Sequence, residues 1–583
     1  MMDKKSSWMN LMINHTKPAN KLILLIALLQ GLGLYLLHDS VELQYWPAGE
    51  DQWLYMFYSV LLTVPTLLLL GLEDSNNRLL FKITGGFGLV IALLAYYMGS
   101  QTTDLYIMQS GVILFSCIPT FGIACLKTHI YSQCYIHQGK LDYSELFRQS
   151  WRSVCTLALS LFFTLLVWGI LMLWAALFNA IDIKFFRELF TKSWFLYPTL
   201  ALANGIGIVL FRRFASVIDT IVGLLQVLLK FVLILLAVVT LLFLCTLPFS
   251  GLTPLWKSGG SNLILGMQLL LLFFVNAVYQ DGIGKAPYSG WLHRLVSLSL
   301  LSMPLYSCIS FYGLYSRVAQ YGFTVDRCWG WMLWFVLTIF SVSYALVVIR
   351  QFQHWLPPFT RLNIKLGLVV LGLALLVNSP LLDFRKITVA SQLARLSSHQ
   401  IQIEDFDFAY FTRQLGKPGA EALEQLIHDY KEQYPQIQVR IDGLNFHKNK
   451  QDLTAQSIKE AITIITGSIP EDLYEAFGKF ANSNKWAMSR IKQQYAVQID
   501  MDGDSQADYL YIWLRDNYAT VTLFYKQDNQ WQHTSAGSIK LDEQQPQQWD
   551  EILGALKQQQ FQLRPKRWQT LNINQQTLVP SEI

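Results

Sequence analysis

Eleven stretches of this chain are apolar on every side for the length of a membrane crossing. They cover approximately residues 21–37, 53–72, 80–98, 105–126, 154–178, 194–211, 224–247, 263–279, 292–315, 329–349 and 362–377. One crossing takes about 20 mainly apolar residues at 1.5 Å rise each. Lipid offers backbone groups no hydrogen-bond partner, so runs this long and without alternation must be helices. Composition then divides the chain in two. Residues 1–379 hold 24 Lys/Arg and 15 Asp/Glu, while residues 380–583 hold 21 and 25. The first part is far below the one-quarter charged content of a soluble domain, and the second is close to it. A cytosolic globular enzyme, a disordered chain and a fibrous repeat are excluded on these grounds.

The expected fold class is a polytopic α-helical membrane protein of about eleven spans, with a C-terminal α+β soluble domain built on an antiparallel β-meander. The expected divisions are an N-terminal arm at 1–20, a transmembrane domain at 21–379 and a soluble domain at 380–583. Basic residues in the loops give an orientation. With the amino terminus inside, 18 Lys/Arg fall on the inner side and 6 on the outer side. An odd number of spans then places the soluble domain outside, in the periplasm of a bacterial inner membrane. The first span has no small-residue cleavage site after it and reads as a retained anchor. All seven cysteines lie before residue 380, so the soluble domain folds without disulfides.

Few residues in the spans carry chemistry. Lys230 lies within one and can snorkel to the inner surface. Asn204 and Asn276 read as bonds to neighbouring helices. His129, Cys134 and His137 are spaced like metal ligands, but no fourth ligand is near and the segment reads as an inner polar loop. The first outer loop holds Asp39, Glu42, Glu50 and Asp51 without a basic residue. Membrane glycosyltransferases acting on lipid-linked sugars resemble this in having an acidic first outer loop, whose carboxylates serve as base and metal ligands.

The outer loop before the tenth span runs from Arg317 to Arg327. Gly322 permits a turn, Thr324 can cap a helix and Asp326 faces the positive end of its dipole. A docking role for the soluble domain is the functional alternative. Tyr321-Gly322-Phe323-Thr324 with Arg327, followed by a Trp-rich span, resembles a bacterial family of polytopic inner-membrane proteins known only as a domain of unknown function. The likeness continues through Ser379-Pro380-Leu381-Leu382-Asp383, Ser391-Gln392-Leu393-Ala394-Arg395-Leu396, Phe406-Asp407-Phe408-Ala409-Tyr410, and Leu415-Gly416-Lys417-Pro418-Gly419 with Ala422-Leu423. It covers most of residues 20–430. It implies a many-span envelope protein with a C-terminal soluble part, and no activity.

In the soluble part, Gly416 and Pro418-Gly419 separate helices expected at 406–415 and 420–430. Further helices are expected at 453–465, from Pro470 onward, and at 549–559. Alternation at Tyr495, Val497 and Ile499, at Tyr509, Tyr511 and Trp513, and at Val521, Leu523 and Tyr525 reads as the meander, with one turn at Asp528-Asn529. Asp500, Asp502, Asp504 and Asp508 lie at positions 1, 3, 5 and 9 of a tight loop. Calcium takes six to eight oxygens, and such spacing can converge carboxylates on it. A structural Ca2+ is therefore a candidate cofactor, against an acidic hairpin tip as the simpler reading. Ser505 stands where glycine would ease the turn, and Tyr511 stands where an EF-hand has glutamate. Arg564, Lys566 and Arg567 form one small basic cluster, so no nucleic-acid partner is expected. The expected partners are the lipid bilayer and periplasmic or membrane proteins. The leading expectation is an envelope protein presenting a binding, sensing or scaffolding domain. An enzyme acting on lipid-linked substrates and a small-molecule transporter are the alternatives.

Overall fold

A computed structural model describes residues 18–73, 77–102, 110–252, 255, 260–279, 287–351, 356–430, 437, 441, 455–484, 491, 493–515, 518–527, 530–541, 548–560, 571–573 and 576–578. Most of the N-terminal arm, the Asp528-Asn529 turn and the Arg564, Lys566, Arg567 cluster lie outside the described residues. The chain forms two compact units.

The first unit holds eleven helices long and apolar enough to cross a membrane. In chain order they are α1 (Pro18–Leu43), α2 (Asp51–Gly71), α3 (Asn77–Gly99), α4 (Ser110–Gln138), α5 (Tyr143–Asn179), α7 (Ser193–Arg213), α8 (Ala215–Ser250), α9 (Gly260–Tyr279), α10 (Gly290–Tyr321), α11 (Val325–Arg350) and α12 (Leu356–Leu376), with the short α6 (Phe185–Thr191) between α5 and α7. This is a multi-pass membrane protein in contact with lipid. The glycines at 85, 86 and 88 do not interrupt α3. The unit continues past the last span through α13 (Phe384–Ser397) to Phe406.

Three expected spans change their boundaries. The fourth span does not end near residue 126, and its helix runs on to Gln138. His129, Cys134 and His137 therefore stand on a helix rather than in a loop. His129 Nε2 lies 3.0 Å from Ser153 Oγ, and His137 pairs with Glu73 at 3.3 Å. Hydropathy falls here because the continuation packs on protein, with Ile130 and Cys134 buried against Leu146. Likewise α5 has 37 residues and α8 has 36. Each is about 54 Å long at 1.5 Å per residue, well beyond the hydrocarbon thickness. Their early turns carry the surplus polarity: Arg152 on α5 pairs with Asp219 on α8 at 2.8 Å.

Packing divides the spans into two sets. One core joins residues of α8, α9, α10 and α11, such as Leu233, Val275, Leu300 and Leu337. Another joins α2, α3 and α4 through Leu67, Ile91 and Phe121. Helix α12 belongs to both. Phe359 and Leu366 in its first half enter the former core, and Leu371 and Ala374 in its second half enter the latter. Exposure follows: half of the apolar window is buried in α9 and α10, but only 6% in α5, which faces lipid.

A closed hydrogen-bonded ring joins α5, α9, α11 and α12 near the end where α9 and α11 finish. Asn363 Nδ2 on α12 donates to Tyr143 Oη on α5 (3.0 Å) and Asn276 Oδ1 on α9 (2.7 Å). Tyr344 Oη on α11 donates to Asn363 Oδ1 at 2.6 Å and receives Asn276 Nδ2 at 2.9 Å. Asn276 thus bonds neighbouring helices, as expected, whereas Asn204 Oδ1 is buried without a hydrogen-bond partner among the described residues.

The second unit is α+β. Helix α16 (Ala455–Ala461) leads into β1 (Ile462–Thr466), followed by α17 (Glu471–Ser483), β2 (Gln493–Ile499), β3 (Asp508–Leu514), β4 (Tyr518–Gln527), β5 (Gln530–Lys540) and α18 (Gln548–Lys557). The five strands lie in sequence order, with β1 parallel to β2 and the others antiparallel. The helix expected at 453–465 is thus only partly formed. Ile462-Thr463-Ile464-Ile465-Thr466 is wholly β-branched, stiff at χ1 and suited to a pleated sheet. The period-2 pattern of β3 fills two cores. Tyr509, Tyr511 and Trp513 pack on α17, where Phe477 stacks on Tyr511 at 4.3 Å. Ile512 faces the other side, where Trp549 of α18 meets Tyr495.

In chain order, α14 (Phe408–Gln414) and α15 (Gly416–Tyr430) follow α13 and precede α16. Gly416, at φ +58°, is the break between them. Pro418 and Gly419 do not break the second helix. They sit in its first turn, where proline's missing N–H costs little.

Candidate functional site

Helix α10 ends at a carbonyl-rich turn that needs donors. Gly322 closes it at φ +71°, and its N–H donates to Val318 O at 2.8 Å. A Cβ at Gly322 would stand 2.7 Å from Arg395 Cδ and 2.8 Å from Gln392 Nε2, so glycine is required for space as well as for φ. Thr324 caps α11 by accepting the Arg327 N–H at 3.4 Å, with Asp326 in the first turn. The expected local structure of this loop is present.

Its grip on α13 was not legible from local rules. Phe323 N donates to Ser391 Oγ at 2.9 Å. Gln392 Nε2 donates to Tyr321 O (3.0 Å) and Phe323 O (2.8 Å). Arg395 donates to Tyr321 O (2.8 Å) and Gln320 O (3.0 Å). Arg327 Nη1 takes Gly322 O at 2.7 Å, and its guanidinium lies over the Tyr321 ring. Two cations and an amide therefore cover the negative end of the α10 dipole. Two sequence blocks about 70 residues apart form one clasp. Arg317 is exposed on α10, outside these bonds.

The other end of α13 is fixed by a buried ion pair. Asp383 caps the helix by accepting Arg385 N at 2.9 Å. Arg385 Nε and Nη2 reach its two oxygens at 2.9 and 2.8 Å. Tyr97 of α3 donates its hydroxyl to Asp383 Oδ2 at 2.8 Å. Asp383 and Arg385 are 6% and 5% exposed. Burial pushes the Asp383 carboxyl up, but the Arg385 bonds and charge, with the Tyr97 hydroxyl, outweigh it and hold the carboxyl below its ordinary range. Tyr97 and Arg385 carried no signal as single residues. The Asp-x-Arg triplet leaving the last span is a signal that could have found the Asp383 and Arg385 pair. Nearby, Lys417 N donates to Gln101 O at 2.8 Å.

Three of the four first-loop carboxylates take separate partners. Asp39, near the end of α1, accepts the Tyr45 hydroxyl at 3.1 Å. Glu42 lies 3.8 Å from His38 Nε2. Glu50 accepts from Gln52 at 2.6 Å, and Asp51 is the first residue of α2, where the helix dipole favours it.

Among the described residues, Asp500, Asp502 and Asp504 are the acidic group whose oxygens converge, all within 4.8 Å of one another. Asp500 accepts Gly503 N (2.7 Å) and Ser505 N (3.1 Å), which folds the loop around it. Gly503 and Ser505 sit at φ +81° and +65°. Asp508 stands apart from the triad. It starts β3, is 5% exposed and accepts Met501 N at 3.1 Å. Burial first, and then the Asp502, Asp504 and Asp500 charges, push its carboxyl above the ordinary range. Three carboxylates offer at most six oxygens, enough for a hard cation completed by water.

No curated protein and no solved structure matches this chain. A family profile described as "Domain of unknown function (DUF4153)" matches residues 24–426, from within the first span into α15, and takes in both halves of the clasp. The chain belongs to this family.

Proposed function

We propose that this protein is an inner-membrane envelope protein whose helical unit carries the C-terminal α+β unit on the periplasmic side, where it binds or senses a partner or serves as a scaffold. The observation that carries the reading is the two-ended fixation of α13. The chain leaving the last span is no free tether, because Asp383 and Arg385 bind its start to Tyr97, and Gln392 and Arg395 bind its end to the Gly322 loop. Such a fixed exit suits a mount. The basic bias of the loops, 18 to 6 with eleven spans, supports the orientation. A structural calcium at Asp500, Asp502 and Asp504 belongs to the same proposal, supported by their convergence. The glycosyltransferase-like alternative rests on first-loop carboxylates of which Asp39, Glu42 and Glu50 take separate partners and Asp51 starts α2, and no observation favours it or the transporter reading.

The test is site-directed labelling in spheroplasts, in a background where the seven native cysteines are replaced. Lys479→Cys on α17 should react with a membrane-impermeant maleimide, and Lys140→Cys only after permeabilisation. The reverse pattern would sink the orientation.

A further inference from the structure

Strand β5 is the outermost strand on its side of the sheet, and among the described residues its only strand partner is β4. It is a long edge of eleven residues, nine of them exposed. Native sheets keep such edges short or guard them with lysine, proline or a bulge, because the free N–H and C=O groups recruit any extended chain. Residues 530–539 contain no Lys, Arg, Asp, Glu or Pro. The guard present is a bulge, where Val521 pairs with Gly537 and Thr522 with Ser535. It leaves residues 530–535 as a regular run whose outer row no described strand takes.

The same unit holds a strand pair that lacks a sheet. Strands β6 (Leu571–Ile573) and β7 (Gln576–Leu578) pair antiparallel with each other and with no other described strand. An isolated two-stranded hairpin is marginal in water, and a third strand is what stabilises it. Leu571-Asn572-Ile573 alternates apolar and polar residues, as a strand in a half-covered sheet does. Ile573 pairs with Gln576 across a two-residue loop, which makes them a bonded pair and turns the N–H groups of Asn572 and Thr577 outward. The chain is long enough to bring the hairpin to β5. Leu556, in the last turn of α18, shares one core with Ile539 of β5. Residues 530–535 lie about 14–31 Å along the strand from Ile539, and the ten residues 561–570 span up to about 35 Å.

We propose that the C-terminal hairpin adds to the outer edge of β5 along residues 530–535 and closes the sheet against extended segments of other chains. The hairpin gains its third strand, and the edge loses its free row of donors and acceptors. The proposal is independent of which side of the membrane is inside.

The test is hydrogen exchange of the full chain in detergent, read by mass spectrometry. A strand paired on one side has alternate amides bonded, whereas a strand paired on both sides has nearly all of them bonded. In the wild type nearly all amides of residues 530–535 should exchange slowly. A variant carrying Asn572→Pro and Thr577→Pro loses the outward donors and keeps the bonds within the hairpin. In it, and in a chain ending at Gln560, alternate amides of residues 530–535 should lose their protection, while those of α17 keep theirs and report a folded unit. Protection that persists in the chain ending at Gln560 would overturn the proposal, and where it rises with protein concentration a second copy covers the edge instead. Alternate fast amides in the wild type would overturn it too, a result that needs no variant to fold.

Discussion

The Tyr97 hydroxyl donates to the Asp383 carboxylate at 2.8 Å across 286 positions of sequence. The carboxylate is already held by both arms of the Arg385 guanidinium. Removing one partner of a buried pair leaves an uncompensated charge and costs about 3–5 kcal/mol. Asp383→Ala should therefore lower the melting midpoint far more than Tyr97→Phe, which deletes one bond worth about 1–2 kcal/mol. The pH dependence follows from the lowered Asp383 carboxyl. Its contribution is complete above the ordinary carboxylate range and is lost as pH falls below that range. Melting curves from neutral to acid pH should show this loss in the wild type and not in Asp383→Asn.

The clasp makes a separate prediction. Arg395→Ala strands the Gln320 carbonyl and removes one of the donors on Tyr321 O, and Gly322→Ala adds a Cβ at φ +71° against Arg395. The backbone strain alone is about 1–2 kcal/mol. Both variants should release α13, read as faster cleavage by a limiting protease within residues 398–402, while the spans remain protected. Unchanged cleavage would mean that α13 is held by other contacts.

The ring that joins α5, α9, α11 and α12 should behave as one unit. Tyr344→Phe removes a hydroxyl that serves Asn276 and Asn363 together, and should cost about 1–2 kcal/mol by leaving amide groups unpaired in a dry site. Tyr143→Phe cuts the same ring at its α5 corner. A double-mutant cycle on thermal stability should give a coupling above the roughly 0.5 kcal/mol scatter of independent sites. Additive losses would show that the ring is four separate bonds.

Much of this architecture is written in local patterns. An apolar run of crossing length leaves the backbone no choice but a helix, and the turn at Gly322, Thr324 and Asp326 follows from φ, capping and dipole alone. What lies beyond local rules is contact. His129, Cys134 and His137 read as a loop because hydropathy falls after Leu126, yet the helix continues where its neighbours are protein rather than lipid. The strand at Ile462–Thr466 read as helix because five residues are too few for periodicity to outweigh the helix before them. Ser391, Gln392 and Arg395 stood out only through the family resemblance, since nothing near them in sequence needs their donors.

The aspartate loop offers the last prediction, and its sign is opposite to that of Asp383. Asp508 is buried beside three carboxylates, and its carboxyl is raised. The folded state therefore holds the Asp508 proton more tightly than the unfolded chain does. Stability from this group falls as pH rises from the ordinary carboxylate range through the raised value. Asp508→Asn keeps an acceptor for Met501 N and removes the charge, so it should raise the melting midpoint of the second unit at neutral pH. A divalent cation on Asp500, Asp502 and Asp504 would neutralise the charges that act on Asp508. Calcium should then raise the wild-type midpoint and flatten its decline with pH, and a chelator should reverse both. In a variant carrying Asp500→Asn and Asp504→Asn, calcium should change neither. If millimolar calcium leaves the wild-type midpoint where it was, the three carboxylates are a hairpin tip and hold no ion.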